Sequence, residues 1–207
     1  MPKPLLRVTR LAKPIALVSL LSMSLVAYAG AQHEEALANS VKAVLASRIA
    51  GADQPIGQAK FESATEKVKW LSRMSARLPR KWLPAYEQRM DFLNAVHYEA
   101  TRAGLEPELV LGLIQVESNF RRYAISSADA RGFMQVMPFW VKQLGGSDDK
   151  ILFDLKTNLR FGCAILRHYI DIEDGNLFRA LGRYNGSLGR AKYPNKVLKA
   201  WKRWKAA

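Results

Sequence analysis

The sequence contains one cysteine, Cys163, among its 207 residues, and this excludes an intramolecular disulfide. Its three histidines form no Cys/His cluster with the spacing of a zinc site. Low-complexity runs are also absent, and 49% of the residues are hydrophobic, enough to bury a core. We therefore expect one folded domain with room for a small appendage, and no disulfide scaffold or structural zinc.

Acidic residues are missing from the first 33 positions, where four cations precede an apolar run at residues 15–26 and the small residues 27–31. This order is typical of a secretory signal peptide. The apolar run has about a dozen residues, which is short against the roughly 20 that span a bilayer. We predict that residues 1–31 are a signal peptide cleaved near Ala29 or Ala31, and that the protein is exported to the periplasm or secreted.

Acidic residues are absent again after Asp174, whereas nine cations follow it. Without the four cations of the leader, 28 basic residues face 18 acidic ones, a net charge of +10 that indicates an anionic partner. The last residues are expected to form a helix with an apolar face of Val197, Leu198, Trp201 and Trp204. Its lysines either form a solvated outer face or attach the protein to an anionic wall or membrane surface.

Alternating polar and apolar runs, the mark of strands, are absent as well, so the predicted fold is mainly α. Helical spacing covers residues 33–50, residues 85–103 and a segment that begins after the capping box Ser63–Glu66 and ends near Pro79. We assign residues 32–91 to a small helical N-terminal region, which we expect to brace the rest more than to bind a partner. Trp70 and Trp82 in this region are expected in the core rather than against a sugar.

Glu117 is the candidate catalytic residue that periodicity supports. Pro107 suits the first turn of a helix whose apolar positions lie three, four and seven residues before Glu117. Burial and the negative end of the helix dipole both raise the pKa of such a carboxyl group, which a general acid requires. Periodicity alone leaves an equal alternative, an ordinary ion pair between Glu117 and Arg121.

Several short motifs with compatible gaps resemble the soluble lytic transglycosylase (SLT) domain, a relative of goose-type lysozyme, over residues 92–198. They are Glu117-Ser118-x-Phe120, Ala124-x-Ser126, Gly132-Phe133-Met134-Gln135-x-Met137-Pro138, Asn158, Gly162 and Tyr184-Asn185-Gly186. The resemblance implies a helical, lysozyme-like catalytic domain at residues 92–207. It also implies a cleft that binds peptidoglycan glycan strands and cuts them between N-acetylmuramic acid and N-acetylglucosamine.

The resemblance also implies the roles of individual residues. Glu117 is expected to act as the single catalytic acid/base, and the cleft is expected to hold the sugars through Ser126, Gln135, Met137, Tyr184 and Asn185. In this scheme Glu117 protonates the glycosidic oxygen, the muramic N-acetyl oxygen stabilises C1, and Glu117 then deprotonates the C6 hydroxyl. The product is a 1,6-anhydro end, and no metal or organic cofactor takes part.

Three positions depart from the family pattern: Phe133 replaces leucine, Arg183 places a charge near the expected cleft wall, and Asp129 replaces a small residue. Because of Asp129, a hydrolase remains an alternative function. This would be a goose-type muramidase that activates water with one of four carboxylates: Asp129, Asp148, Asp149 or Asp154. A non-catalytic peptidoglycan-binding module is another alternative. Nucleic acid is not an expected partner, because the protein is expected to be exported and has no recognisable nucleic-acid motif.

Overall fold

The structure, a computed structural model, describes Glu34, residues 39–50 and residues 61–206. The predicted signal peptide, residues 1–31, lies outside the described residues. Within the described part the chain forms α-helices and one 3-10 helix, with isolated bridges joining Ile125 to Arg131 and Arg131 to Val136 in place of strands. The mainly helical fold is therefore confirmed. None of the described helices is both long and apolar enough to cross a membrane.

The bounds of the helices are α1 Asn39–Ile49, α2 Ala64–Ser75, α3 Tyr86–Arg102, α4 Pro107–Glu117, α5 Pro138–Gln143, α6 Leu155–Ile172, α7 Leu177–Asn185 and α8 Lys192–Lys205, with the 3-10 helix at Asp149–Phe153. The five predicted helical segments correspond to α1–α4 and α8, and α5, α6, α7 and the 3-10 helix were not individually predicted. Prolines occupy the first helical position of α4 and α5, where the missing N–H group costs no hydrogen bond.

Helix α2 begins at the predicted cap and is tied to α4 by a hydrogen bond. Ser63 Oγ accepts a hydrogen bond from the Glu66 N–H at 3.1 Å. Trp70 is buried as expected, and its Nε1 donates to Glu108 Oε1 of α4 at 2.7 Å. The prediction for Trp82 was wrong: it is 41% exposed. It lies in the turn between α2 and α3, where helical spacing does not decide which side chains face the core.

Helix α8 packs along α4 in the opposite direction. Lys205 pairs with Glu106 at 2.8 Å near one end of α4, and Tyr193 reaches Glu117 at the other end. Gly112 permits this packing, because a Cβ there would lie 2.7 Å from the backbone nitrogen of Trp201. The lysines at positions 192, 196, 199, 202 and 205 are exposed, so the helix is docked with its basic side outward.

Asn158 of α6 fixes the 124–136 loop, which carries several predicted site residues. The side chain is fully buried, and its Oδ1 accepts from the Met134 N–H at 2.8 Å. Its Nδ2 donates to the carbonyl oxygens of Arg131 at 2.9 Å and Leu152 at 2.8 Å. Gly132, with φ of +75°, lets the loop turn beside the asparagine.

We expect Asn158→Ala to lower the free energy of unfolding by about 3 kcal/mol, because it leaves buried backbone groups without partners. Urea denaturation measures this change. Asn195→Ala, at an exposed position of α8, is the control and should change stability by less than about 0.5 kcal/mol. Equal effects of the two substitutions would show that Asn158 does not hold the loop.

Candidate active site

Glu117 is the last residue of α4, and its side chain is buried as predicted, with 5% of the residue exposed. Burial raises the pKa of its carboxyl group to about 8, and a hydrogen bond from Tyr193 opposes this shift. Oε2 is buried and has no hydrogen-bond partner among the described residues. Because a charged carboxylate would be desolvated there with little compensation, the neutral acid is favoured near pH 7.

The alternative ion pair between Glu117 and Arg121 is not formed. Arg121 is exposed, and its Nε donates to the carbonyl oxygen of Ser118 at 2.9 Å. Arg121 is not among the groups that shift the pKa of Glu117, which are burial and the hydrogen bond from Tyr193. Of the two interpretations of the periodicity, the buried acid is the one that the structure supports.

Tyr193 completes the environment of Glu117, and sequence reasoning missed it. Its buried hydroxyl group donates to Glu117 Oε1 across 76 residues of sequence. Burial, reinforced by the charge of Glu117, raises the pKa of Tyr193 well above its usual value, so the phenol keeps its proton. The available signal was its place on the buried face of α8, four residues before Val197 and seven before Ala200.

The predicted sugar contacts Gln135 and Ser126 use their polar groups within the protein. Gln135 is 2% exposed and adopts φ of +51°, and its Nε2 donates to the carbonyl oxygens of Ala124 at 3.1 Å and Gly132 at 3.0 Å. Ser126 Oγ accepts from the N–H groups of Ala128 at 3.2 Å and Ala130 at 3.0 Å. Both side chains thus hold the 124–136 loop in shape, and Ser126 remains half-buried.

The other three predicted contacts lie at the ends of α5 and α7. Met137, the residue before α5, is half-buried against the core. Tyr184 is fully buried, and its hydroxyl group donates to the Met134 carbonyl oxygen at 2.8 Å. Asn185 ends α7 and is 5% exposed. Tyr184 also has a minor electrostatic effect that raises the pKa of Tyr193, after burial and Glu117.

All four candidates for a second carboxylate have structural partners. Asp129 and Asp149 form ion pairs with Arg131 at 3.0 and 2.6 Å. Asp148 caps the 3-10 helix and Asp154 caps α6, each by accepting from a backbone N–H group. Each of the four carboxylates therefore has a structural contact within the protein.

The remaining departures from the family pattern serve packing and pairing. Phe133 is buried, with its ring centroid 5.0 Å from that of Phe92. Arg183 forms an ion pair with Glu173, which also pairs with Arg179. The charge expected near a cleft wall is therefore balanced by a carboxylate.

We expect the stability of the protein to fall with rising pH because of Glu117. Its folded-state pKa of about 8 exceeds the ordinary value of 4.5, so the folded state holds the proton more tightly than the unfolded state. This contribution is complete below about pH 4.5 and is lost as pH rises through 8. At pH 8, Glu117→Gln should therefore exceed the wild type in free energy of unfolding by on the order of a few kcal/mol, and should unfold at a higher temperature. At pH 4 the two proteins should be equally stable.

Thermal unfolding across this pH range measures the effect, and Glu62→Gln at an exposed position is the control. A Glu117→Gln difference that stays constant from pH 4 to pH 9 would contradict a raised pKa.

Comparison with known proteins identifies the family. A family model described as "Transglycosylase SLT domain" matches residues 94–206, more than half of the chain. The chain is 35% identical over 102 residues to a "Transglycosylase" of Enterobacteria phage PRD1, a match that covers 46% of this chain and 37% of the phage protein.

Two further relatives are named "Membrane-bound lytic murein transglycosylase C". The protein of Histophilus somni (strain 2336) is 40% identical over 113 residues, covering 47% of this chain and 31% of the relative. The protein of Haemophilus influenzae (strain PittEE) is 33% identical over 113 residues, covering 47% and 32%. The chain thus spans about a third of the length of these curated relatives. It belongs to the family of proteins that contain the transglycosylase SLT domain.

Proposed function

We propose that the protein is an exported lytic transglycosylase that cleaves peptidoglycan between N-acetylmuramic acid and N-acetylglucosamine. Glu117 acts as its only acid/base, and the cleaved strand ends in a 1,6-anhydro sugar. Membership of the family supports the reaction class. The observation that carries the proposal is the single buried carboxyl group at the end of α4, whose pKa of about 8 keeps it protonated near neutrality.

The first step transfers the proton of Glu117 to the glycosidic oxygen. The bond between that oxygen and C1 breaks, the N-acetylglucosamine side leaves as an alcohol, and the muramic N-acetyl oxygen stabilises C1. Tyr193 holds Oε1, so Oε2, which has no partner, is the oxygen suited to deliver the proton. Because Oε2 is covered, binding of the glycan must move side chains until the two oxygens are about 2.6–3.2 Å apart.

The second step returns a proton to Glu117. The C6 hydroxyl of the muramic residue attacks its own C1 and gives its proton to the Glu117 carboxylate, which restores the starting acid. The hydrogen bond from Tyr193 stabilises this carboxylate while it exists. No water is consumed, because the intramolecular hydroxyl has a large effective concentration.

The partners of the four aspartates favour this scheme over a muramidase. A hydrolase of the goose type needs a carboxylate free to activate water, whereas Asp129 and Asp149 are paired with Arg131. Asp148 and Asp154 are helix caps. The sugar's own hydroxyl group is therefore the proposed nucleophile.

Sugar binding is assigned to the surroundings of the 124–136 loop. The half-buried Ser126 and Met137 offer a hydroxyl group and an apolar surface to the glycan. Gln135, Tyr184 and Asn185 are buried and set the shape of the cleft. They contact the sugar only through the small part of their surface that is exposed.

Helix α8 supplies an electrostatic contact with the anionic cell wall. Lys192, Lys196, Lys199 and Arg203 are exposed at spacings of four, seven and eleven residues, which places them along one stripe of the helix. This cationic stripe faces away from α4 and is suited to the carboxylates of peptidoglycan stem peptides.

We expect Glu117→Gln to lower the rate of release of soluble muropeptides from purified sacculi by at least about 100-fold, because the general acid is lost. Mass spectrometry of the wild-type products should show anhydro ends. Asp129→Asn and Asp149→Asn are the controls and should keep the wild-type product. Products heavier by one water would indicate a muramidase instead, and release by Glu117→Gln near the wild-type rate would remove Glu117 from the mechanism.

We expect replacement of Lys196, Lys199 and Arg203 by glutamine to weaken binding to sacculi about tenfold at low ionic strength and much less in high salt. Pull-down on sacculi across a salt series measures this effect. A variant with Lys69, Arg73 and Arg80 replaced by glutamine has the same net charge and serves as the control. Equal losses in the two variants would show that total charge, not the stripe on α8, determines binding.

A further inference from the structure

A cavity of about 800 Å³ lies between the N-terminal region and the segment that follows α4. The N-terminal region contributes residues from the turn after α2 and from the start of α3, and the 121–125 segment forms the opposite wall. The lining consists of Trp82, Leu83, Gln88, Asp91, Phe92, Arg121, Arg122, Tyr123, Ala124, Ile125, Phe133 and Leu155. Glu117 and the five predicted sugar contacts are not part of this lining. Five of the lining residues precede position 94, where the family match begins.

Two exposed aromatic rings give the cavity a surface suited to sugars. Trp82 is 41% exposed and Tyr123 is 70% exposed. Lys81 Nζ lies 4.9 Å from the Trp82 ring centroid, and the Arg122 guanidinium carbon lies 5.4 Å from that of Tyr123. Each cation lies over a face of its ring, yet both residues stay exposed, and the apolar C–H face of a pyranose packs on exposed aromatic surface.

Planar polar side chains line the same cavity. Gln88 and Asp91 lie on the face of α3 that also carries Phe92, because their spacing is three and four residues. Arg121 adds a guanidinium group from the opposite wall. Together they present paired donors and acceptors, an arrangement that suits neighbouring hydroxyl and acetamido groups.

The mixture of charges selects the class of ligand. A site for a phosphate or another strongly anionic group would not include the carboxylate of Asp91 in its lining. A site for a purely apolar ligand would not carry Asp91, Arg121 and Arg122 at all. Aromatic surface with polar groups of both signs fits an uncharged saccharide, and a volume of about 800 Å³ lies in the range of small-ligand sites.

Hydrogen bonds connect the cavity to the surroundings of Glu117. Arg121 follows Glu117 by four residues, in the segment that leaves the end of α4. Ala124, which lines the cavity, accepts hydrogen bonds from Gln135 Nε2 at 3.1 Å and from the Gly132 N–H at 2.9 Å. The cavity therefore shares Ala124 with the 124–136 loop, which Tyr184 contacts through the Met134 carbonyl oxygen.

We propose that this cavity is an accessory saccharide subsite, in which Trp82 stacks on an N-acetylhexosamine unit of the glycan strand beyond the bond that is cut. The proposal rests on the proposed function for the identity of the strand, although binding itself needs no catalysis. It makes the N-terminal region part of the substrate site, and it gives a role to the tryptophan that helical spacing had placed in the core.

The test is calorimetric binding of the N-acetylglucosamine tetramer to the full chain, with Glu117→Gln in every variant to prevent turnover. We expect Trp82→Ala to weaken binding about tenfold, and Trp82→Phe to restore part of the loss. Tyr86→Ala, at a 61% exposed aromatic residue outside the cavity, is the matched control and should bind as tightly as the parent. Thermal unfolding checks that all variants are folded.

Unchanged affinity in Trp82→Ala, or an equal loss in Tyr86→Ala, would overturn the subsite. The subsite would also be overturned if a free stem peptide bound in a Trp82-dependent way while binding of the tetramer did not depend on Trp82. The cavity would then hold peptide. The result is separable from the proposed function. If the wild type releases anhydro products but binding does not depend on Trp82, only the subsite is refuted. If binding depends on Trp82 but the wild type does not cleave sacculi, only the proposed enzymatic function is refuted.

Discussion

The proposed chemistry depends on one constraint, the burial of the Glu117 carboxyl group. Its neighbour is the phenol of Tyr193 and not a cation. Desolvation favours the neutral acid and sets its pKa at about 8, while the Tyr193 hydroxyl limits the shift and supports the anion when it forms. This balance requires α8 to lie close along α4, which Gly112 permits by leaving room for the backbone of Trp201. The packing of two helices thus sets the surroundings that raise the pKa of Glu117.

The 124–136 loop, which carries two of the predicted site residues, depends on buried polar side chains for its shape. Asn158 ties the loop to α6, Gln135 closes it on itself, and Tyr184 attaches it to α7. Because these groups are satisfied within the protein, the loop is held in place by the protein alone. Residues that the motif resemblance assigned to the substrate are therefore seen here as supports of the loop.

The sequence predicted the helices and the buried acid well, because both follow from local spacing. The Ser63 cap and the start of α4 at Pro107 depend on neighbours only a few residues away. Tyr193 lies 76 residues from Glu117, and no periodicity relates two positions so far apart. The core prediction for Trp82 was wrong because turns do not follow helical spacing. The motif resemblance marked Gln135 as a site residue, but it could not show that the amide group of Gln135 binds the backbone.

The most direct test of the central claim is the titration of Glu117 itself in the full chain, by carbon-13 NMR of its labelled side-chain carboxyl group, assigned by its absence in Glu117→Gln. The buried, Tyr193-bonded acid predicts a midpoint near pH 8, with the carboxyl signal unchanged between pH 4 and pH 6. A midpoint near the ordinary value of 4.5 would mean that the group is ionised at neutral pH, and would contradict its role as the proton donor.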